Sequence, residues 1–166
     1  MFREMQRNKQ QLPQQEAIAI LNKETSGVLA LLGDEGYPYA VPMSYVYKDG
    51  KIYFHSAVTG HKVDAARRSL KASFCVVSQD MVVPEKYTTL FSSVVAFGRI
   101  REITDEGEKR KALGLLGKKY HPLDTEGHRM EVVDQALIKV CMLEFEIEHL
   151  TGKEGGELAR MRRKAQ

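Results

Sequence analysis

The chain contains no tryptophan, only two cysteines in 166 residues, and no apolar run longer than a few residues. Each shortage excludes something. Cys75 and Cys141 stand apart with no CxxC spacing, which rules out a disulfide scaffold and a thiolate zinc knuckle and leaves two expected buried thiols. No stretch has the length of a membrane-spanning helix, and the opening MFREMQRNKQ lacks the apolar segment of a secretory signal. A cytoplasmic protein with no membrane partner is expected. Charge of one sign is also scarce: 25 Lys and Arg against 22 Asp and Glu leave a net +3, far from the basic excess of a nucleic-acid binder. The P-loop, nucleophile elbow, HExxH and EF-hand loop are all missing. The pairs His55 with His61 and His121 with His128 lack structural-zinc spacing, so no metal is expected.

What remains is ordinary globular composition, 43% hydrophobic and 28% charged, which fits one domain over residues 1–166. From about residue 154 the sequence turns basic, with Arg160, Arg162, Arg163 and Lys164, and a mobile tail is expected there. A helix is predicted from about Pro13 to Glu24. VLALLG and YPYAVPMSYVY flank a DEG turn as a hairpin, and Lys48 to Lys51 turn the chain into a further strand ending at His55 and Ser56. Val63, Ala66 and Leu70 mark a helix, followed by the β-rich ASFCVVS. SSVVAFGRIREI reads as a long strand with a bend or bulge at Gly98. Asp105 opens a helix, and a shorter one is placed near Met130 to Leu137. Leu143, Phe145 and Ile147 alternate with Glu144, Glu146 and Glu148, which puts the glutamates on a solvated face. The four tyrosines Tyr37, Tyr39, Tyr45 and Tyr47 are assigned to strand packing. Six strands with local helices fit an antiparallel barrel, since a doubly wound parallel sheet needs helical crossovers.

The chemically informative stretch is IYFHSAVTGHKVDAARR. A strand ends in His55 and Ser56, a glycine-containing loop follows, and His61 and Lys62 fall where a helix begins. Free amides and a partial positive charge at a helix start, joined by a lysine and a histidine, suit a phosphate. Lys62, Arg67 and Arg68 also read as a solvated helix face, and spacing alone leaves both open.

This stretch, together with GVLALLGDEGYPYAVPMSYVY, VVPEKYTTLFSSVVAFGRI and FEIEHLTGK, resembles the flavin-binding split barrels related to pyridoxamine phosphate oxidase, and within them the nitroimidazole-resistance (Nim) group. The resemblance implies a six-stranded antiparallel split barrel that forms a homodimer and binds FMN at the dimer interface. It implies that the segment from Ala40 through Val41, Pro42, Met43 and Ser44 passes beside the flavin ring, and that His55 and Ser56 meet the flavin chain. His61 and Lys62 would hold the phosphate, Ser93 would reach the flavin from a later strand, and Arg67 would add charge. The implied activity is an oxidoreductase passing electrons from reduced flavin to a small electron-poor substrate, with His55 delivering protons. The chain departs from the vitamin B6 oxidases in carrying His61 where they place arginine and in having no tryptophan. An oxidase acting on pyridoxamine or pyridoxal phosphate, and a non-catalytic flavin or haem module with His128 or His149 as haem ligand, are the alternatives.

Overall fold

A computed structural model describes residues 1–164. The elements in chain order are β1 (Gln11–Leu12), α1 (Gln14–Lys23), β2 (Ser26–Leu32), β3 (Pro38–Ser44), β4 (Val46–Lys48), β5 (Lys51–Ser56) and α2 (His61–Arg68). β6 (Lys71–Val83), β7 (Thr88–Glu102), α3 (Glu106–Tyr120), α4 (Glu126–Ala136), β8 (Cys141–Glu154) and α5 (Gly156–Lys164) complete them. The strands form one antiparallel sheet in the order β3-β2-β6-β7-β8-β5-β4, with β1 added to β8.

The sheet has eight strands rather than six, and its hydrogen-bonded path is open. One expected strand is two: Tyr45 interrupts it, β3 pairing with β2 and β4 with β5. The Tyr45 amide leaves the ladder because it donates to Tyr120 Oη at 2.9 Å. The remaining extra strand is the two-residue β1.

Period-two alternation sends Leu29, Leu31, Ile52, Phe54, Phe74, Val76, Leu143 and Phe145 to one side of the sheet, where they pack with Ala17 and Leu21 of α1 and Val63 and Ala66 of α2. Phe74 meets Tyr45 and Phe54 edge-on, with centroids 4.9 and 5.1 Å away. Each such side chain contributes roughly 1.5–3 kcal/mol by leaving water. A second core lies on the opposite side, where Val46, Ile103 and Met142 meet Leu113 and Leu116 of α3, Val133 of α4 and Leu137 just past its end. The N-caps of those helices are Asp105 and Thr125, whose side chains accept from the amides of Glu108 and His128. The Thr125 cap starts α4 earlier than the predicted Met130.

The second core corrects the expectation for Glu144. Its side chain is only 7% exposed and pairs with Lys51 at 3.1 Å and Arg101 at 2.9 Å. Alternation placed it on the outer face correctly, but α3 and α4 approach that face; Glu146 and Glu148, further along, are exposed. Gly98 lies at a register shift between β7 and β8, where an added Cβ would come 1.9 Å from the Glu146 carbonyl oxygen. The region expected to be a tail continues β8 to Glu154 and then forms α5, tied down by Arg162 on Glu154 (2.6 Å) and Arg163 on the Lys9 carbonyl (2.8 Å). Cys141 is buried, and burial pushes its thiol up to about 11; Cys75 is only half-buried because it sits on the outer face of β6.

Candidate functional site

The predicted residues fall into two groups and an outlier. The first gathers where β5 hands over to α2. Gly60 turns the chain at φ +129°, a conformation that a side chain would strain, and the next two residues, His61 and Lys62, open the helix. Ser56, the last residue of β5, is buried, and its Oγ has no hydrogen-bond partner among the described residues. His61 stacks on Tyr39 with centroids 4.1 Å apart and lies 3.7 Å from Asp34. Asp34 also takes Arg68 at 2.6 Å, and that hydrogen bond chiefly holds the carboxyl below its ordinary range.

The remaining cations of α2 differ sharply. Arg67 donates twice to Glu102, at 2.7 and 3.1 Å, so its charge is already neutralised. Lys62 Nζ meets only the Met43 sulfur, at 3.5 Å, and makes no ion pair among the described residues. A thioether is a weak acceptor, so this half-buried ammonium retains its capacity for an anion. On β3 the side chains alternate: Val41 and Met43 pack toward the first core, while Pro42 and Ser44 are exposed. Because β3 ends the sheet path and pairs only with β2, its second edge offers unpaired backbone groups.

The second group faces the opposite side of the sheet. Ser44 and the exposed His55 line a cavity of about 510 Å³ beneath the α3–α4 hairpin, walled by Leu113, Leu116, Val133 and Ala136. Tyr120, His121, Asp124, His128 and Arg129 supply its other polar groups. His128 Nδ1 lies 2.9 Å from Asp124, and His121 Nδ1 lies 3.8 Å from it. Burial pushes the Asp124 carboxyl up, but the His128 hydrogen bond and charge, with the Thr125 amide and His121, hold it below its ordinary range. Ser93 is the outlier. It sits on β7 opposite Val77 and Lys153, separated from β3 by β2 and β6.

Sequence reasoning missed Tyr39 and Asp34, which reach His61 through the fold, and the Asp124–His128 pair. The last had a visible signal, an acid and a histidine four residues apart at a helix start. His149, the other proposed haem ligand, stacks on Phe2 with centroids 4.7 Å apart. Among the described residues no cluster of three or more His, Cys, Asp and Glu is arranged to hold a metal ion. No described helix is long and apolar enough to cross a membrane.

Residues 13–154 match the family described as pyridoxamine 5'-phosphate oxidase. The chain belongs to that family. No curated protein sequence matches it. Solved structures share the fold at low identity. A candidate 5-nitroimidazole antibiotic resistance protein from Bacteroides thetaiotaomicron is 22% identical at a TM-score of 0.75, over 87% of this chain and 86% of its own. A conserved protein of Mycobacterium tuberculosis reaches a TM-score of 0.80 at 19% identity, over 93% and 92% of the two chains. An FAD- and haem-binding protein of Mycobacterium smegmatis gives 0.72 at 18% identity, over 89% of this chain and 74% of its own.

Proposed function

We propose that the protein is an FMN-dependent oxidoreductase of the nitroimidazole-reductase type, acting on a small electron-poor substrate and working as a homodimer in the cytoplasm. The observation that carries the proposal is the pairing of a buried, partnerless Ser56 Oγ with an unneutralised Lys62 across the Gly60 turn. A buried hydroxyl without a partner is costly, and a phosphate oxygen beside it relieves that cost while taking the lysine's charge. The residues present therefore fit the phosphate end of a flavin nucleotide. When bound, FMN supplies the electron transfer itself. Lys62, Ser56, His61 and the first amides of α2 would hold the phosphate. The free edge of β3 from Ala40 to Ser44 would hydrogen-bond the polar rim of the ring, Ser93 of a second copy would add a contact, and His55 would deliver a proton to substrate admitted from the cavity side.

A flavin spectrum of the purified protein, or its appearance on adding FMN, tests the proposal directly. Lys62→Ala should weaken FMN by roughly 1–3 kcal/mol in calorimetry without loss of fold, because a charged phosphate contact is removed and no internal ion pair is broken. Equal affinity in the variant would remove Lys62 from the site.

One observation favours a second reading. Asp124 engages Nδ1 of His128 and leaves Nε2 free at an apolar cavity, the orientation a metal-ligating histidine takes, and one fold neighbour binds FAD and haem. Under that reading the purified protein carries a Soret band that His128→Gln removes.

A further inference from the structure

We propose that the cavity beneath the α3–α4 hairpin is a pocket for an apolar carboxylic acid, with the anionic head drawn toward Arg129. The cavity shares Ser44 and His55 with the flavin site, so the inference rests on the reading above and specifies the ligand class admitted there.

The walls set the body of the ligand. Leu113, Leu116, Val133 and Ala136 form an apolar chamber of about 510 Å³, within the range of pockets for small organic ligands and ample for a bicyclic aromatic molecule.

The charges set its head. Arg129 on α4 has a side chain only 9% exposed, lying against Gly117, where an added Cβ would come 3.1 Å from Arg129 Cγ. Nη2 donates to the carbonyls of Asp124 at 2.8 Å and His121 at 3.5 Å and Nη1 to Glu126 at 3.2 Å, while Nε has no partner among the described residues. Glu126 is 84% exposed, so solvent screens the only carboxylate paired with this buried guanidinium. A positive field is left in a low-dielectric wall. Asp124 is the single carboxylate in the lining, and it is already engaged by His128 and His121. An amine entering the chamber meets no unengaged acid. A carboxylate meets Arg129 and three imidazoles, from His55, His121 and His128.

The test is calorimetry with two probes of one shape, 2-naphthoate and neutral 2-naphthamide, on the FMN-loaded protein. Naphthoate should bind about tenfold more tightly, as expected for one charge-assisted contact. Arg129→Met should bring the two affinities together. Val132→Trp, which fills the cavity from a half-exposed position, should weaken both and carries the test if Arg129→Met does not fold. Equal binding of the two probes, no binding of either, no effect of Val132→Trp, or displacement of naphthoate by FMN would each overturn the proposal, as would a haem found ligated by His128. Repeating the titration on protein stripped of flavin separates the two readings. Selective uptake of naphthoate by a chain that never takes FMN sinks the flavin assignment alone, and FMN uptake without naphthoate selectivity sinks the pocket alone.

Discussion

His55 and Ser56 are consecutive, yet the strand sends them to opposite faces, one exposed at the cavity under α3 and α4 and the other buried beside α2. Their roles should separate accordingly. His55→Gln should retain flavin, because the proposed phosphate end uses Ser56 and Lys62, but should slow reoxidation of the reduced protein by a nitro compound. Stopped-flow traces with unchanged rates from about pH 5 to 8, the range in which an imidazole ordinarily exchanges its proton, would reduce His55 to a structural residue. Glu144 carries a different pH dependence. Burial pushes its carboxyl up, but hydrogen bonds from Arg101 and Lys51 outweigh that and leave it below the ordinary carboxylate value. A folded value below the unfolded one means that the stabilisation is present above the unfolded pKa and is lost as pH falls through the folded pKa. Because both cations are partly exposed, screening limits the contribution to about 1 kcal/mol. Urea midpoints should therefore drop more between neutral and acid pH in the native chain than in Glu144→Gln, and parallel drops would reject the pair as a source of acid sensitivity.

At the scale of elements, Gly98 gives the sharpest expectation. The register shift between β7 and β8 brings the Glu146 carbonyl to where a Cβ would stand, and a backbone oxygen cannot swing aside as a side chain can. Gly98→Ala should destabilise by roughly 2–4 kcal/mol through overpacking, and an unchanged thermal midpoint would mean that the bulge relaxes freely. That bulge was legible in the sequence, as were the hairpin turns, where Gly36 and Gly50 take φ +80° and +82°. Such features depend on neighbours in the chain. The break at Tyr45 was not legible, because it depends on a hydroxyl 75 residues away. Alternation likewise reported which face Glu144 occupies but not that a helical hairpin approaches it. The site divided along the same line: GHK before a helix announced His61 and Lys62, whereas Asp34 and Tyr39 join them through sheet pairing, and the neutralisation of Arg67 by Glu102 depends on where β7 ends.

At the scale of the whole molecule, the sheet has an apolar outer face that the described residues cover only in part, Phe2 packing on Phe97 and His149 with centroids 5.8 and 4.7 Å away. Val28, Cys75 and Val95 are aligned in register across β2, β6 and β7, with Val77 59% and Phe97 41% exposed beside them. Ser93 lies on this same sheet face, separated from the β3 edge by β2 and β6. Under the proposed function, a second copy laid over the face would bring its own Ser93 toward the β3 edge, and the flavin site would then draw on both subunits. Such a contact is isologous and buries apolar surface on each side. It also couples ligand and assembly. FMN held between subunits prefers the dimer, and at about a hundredfold excess over its dissociation constant the linkage amounts to about 2.7 kcal/mol per site. Sedimentation at low micromolar concentration should give a dimer whose dissociation is suppressed by FMN, and Phe97→Glu, which places a charge at the centre of the face, should yield monomers that hold FMN weakly. A monomer that binds FMN stoichiometrically and stays monomeric would sink the shared site and return Ser93 to an ordinary strand position.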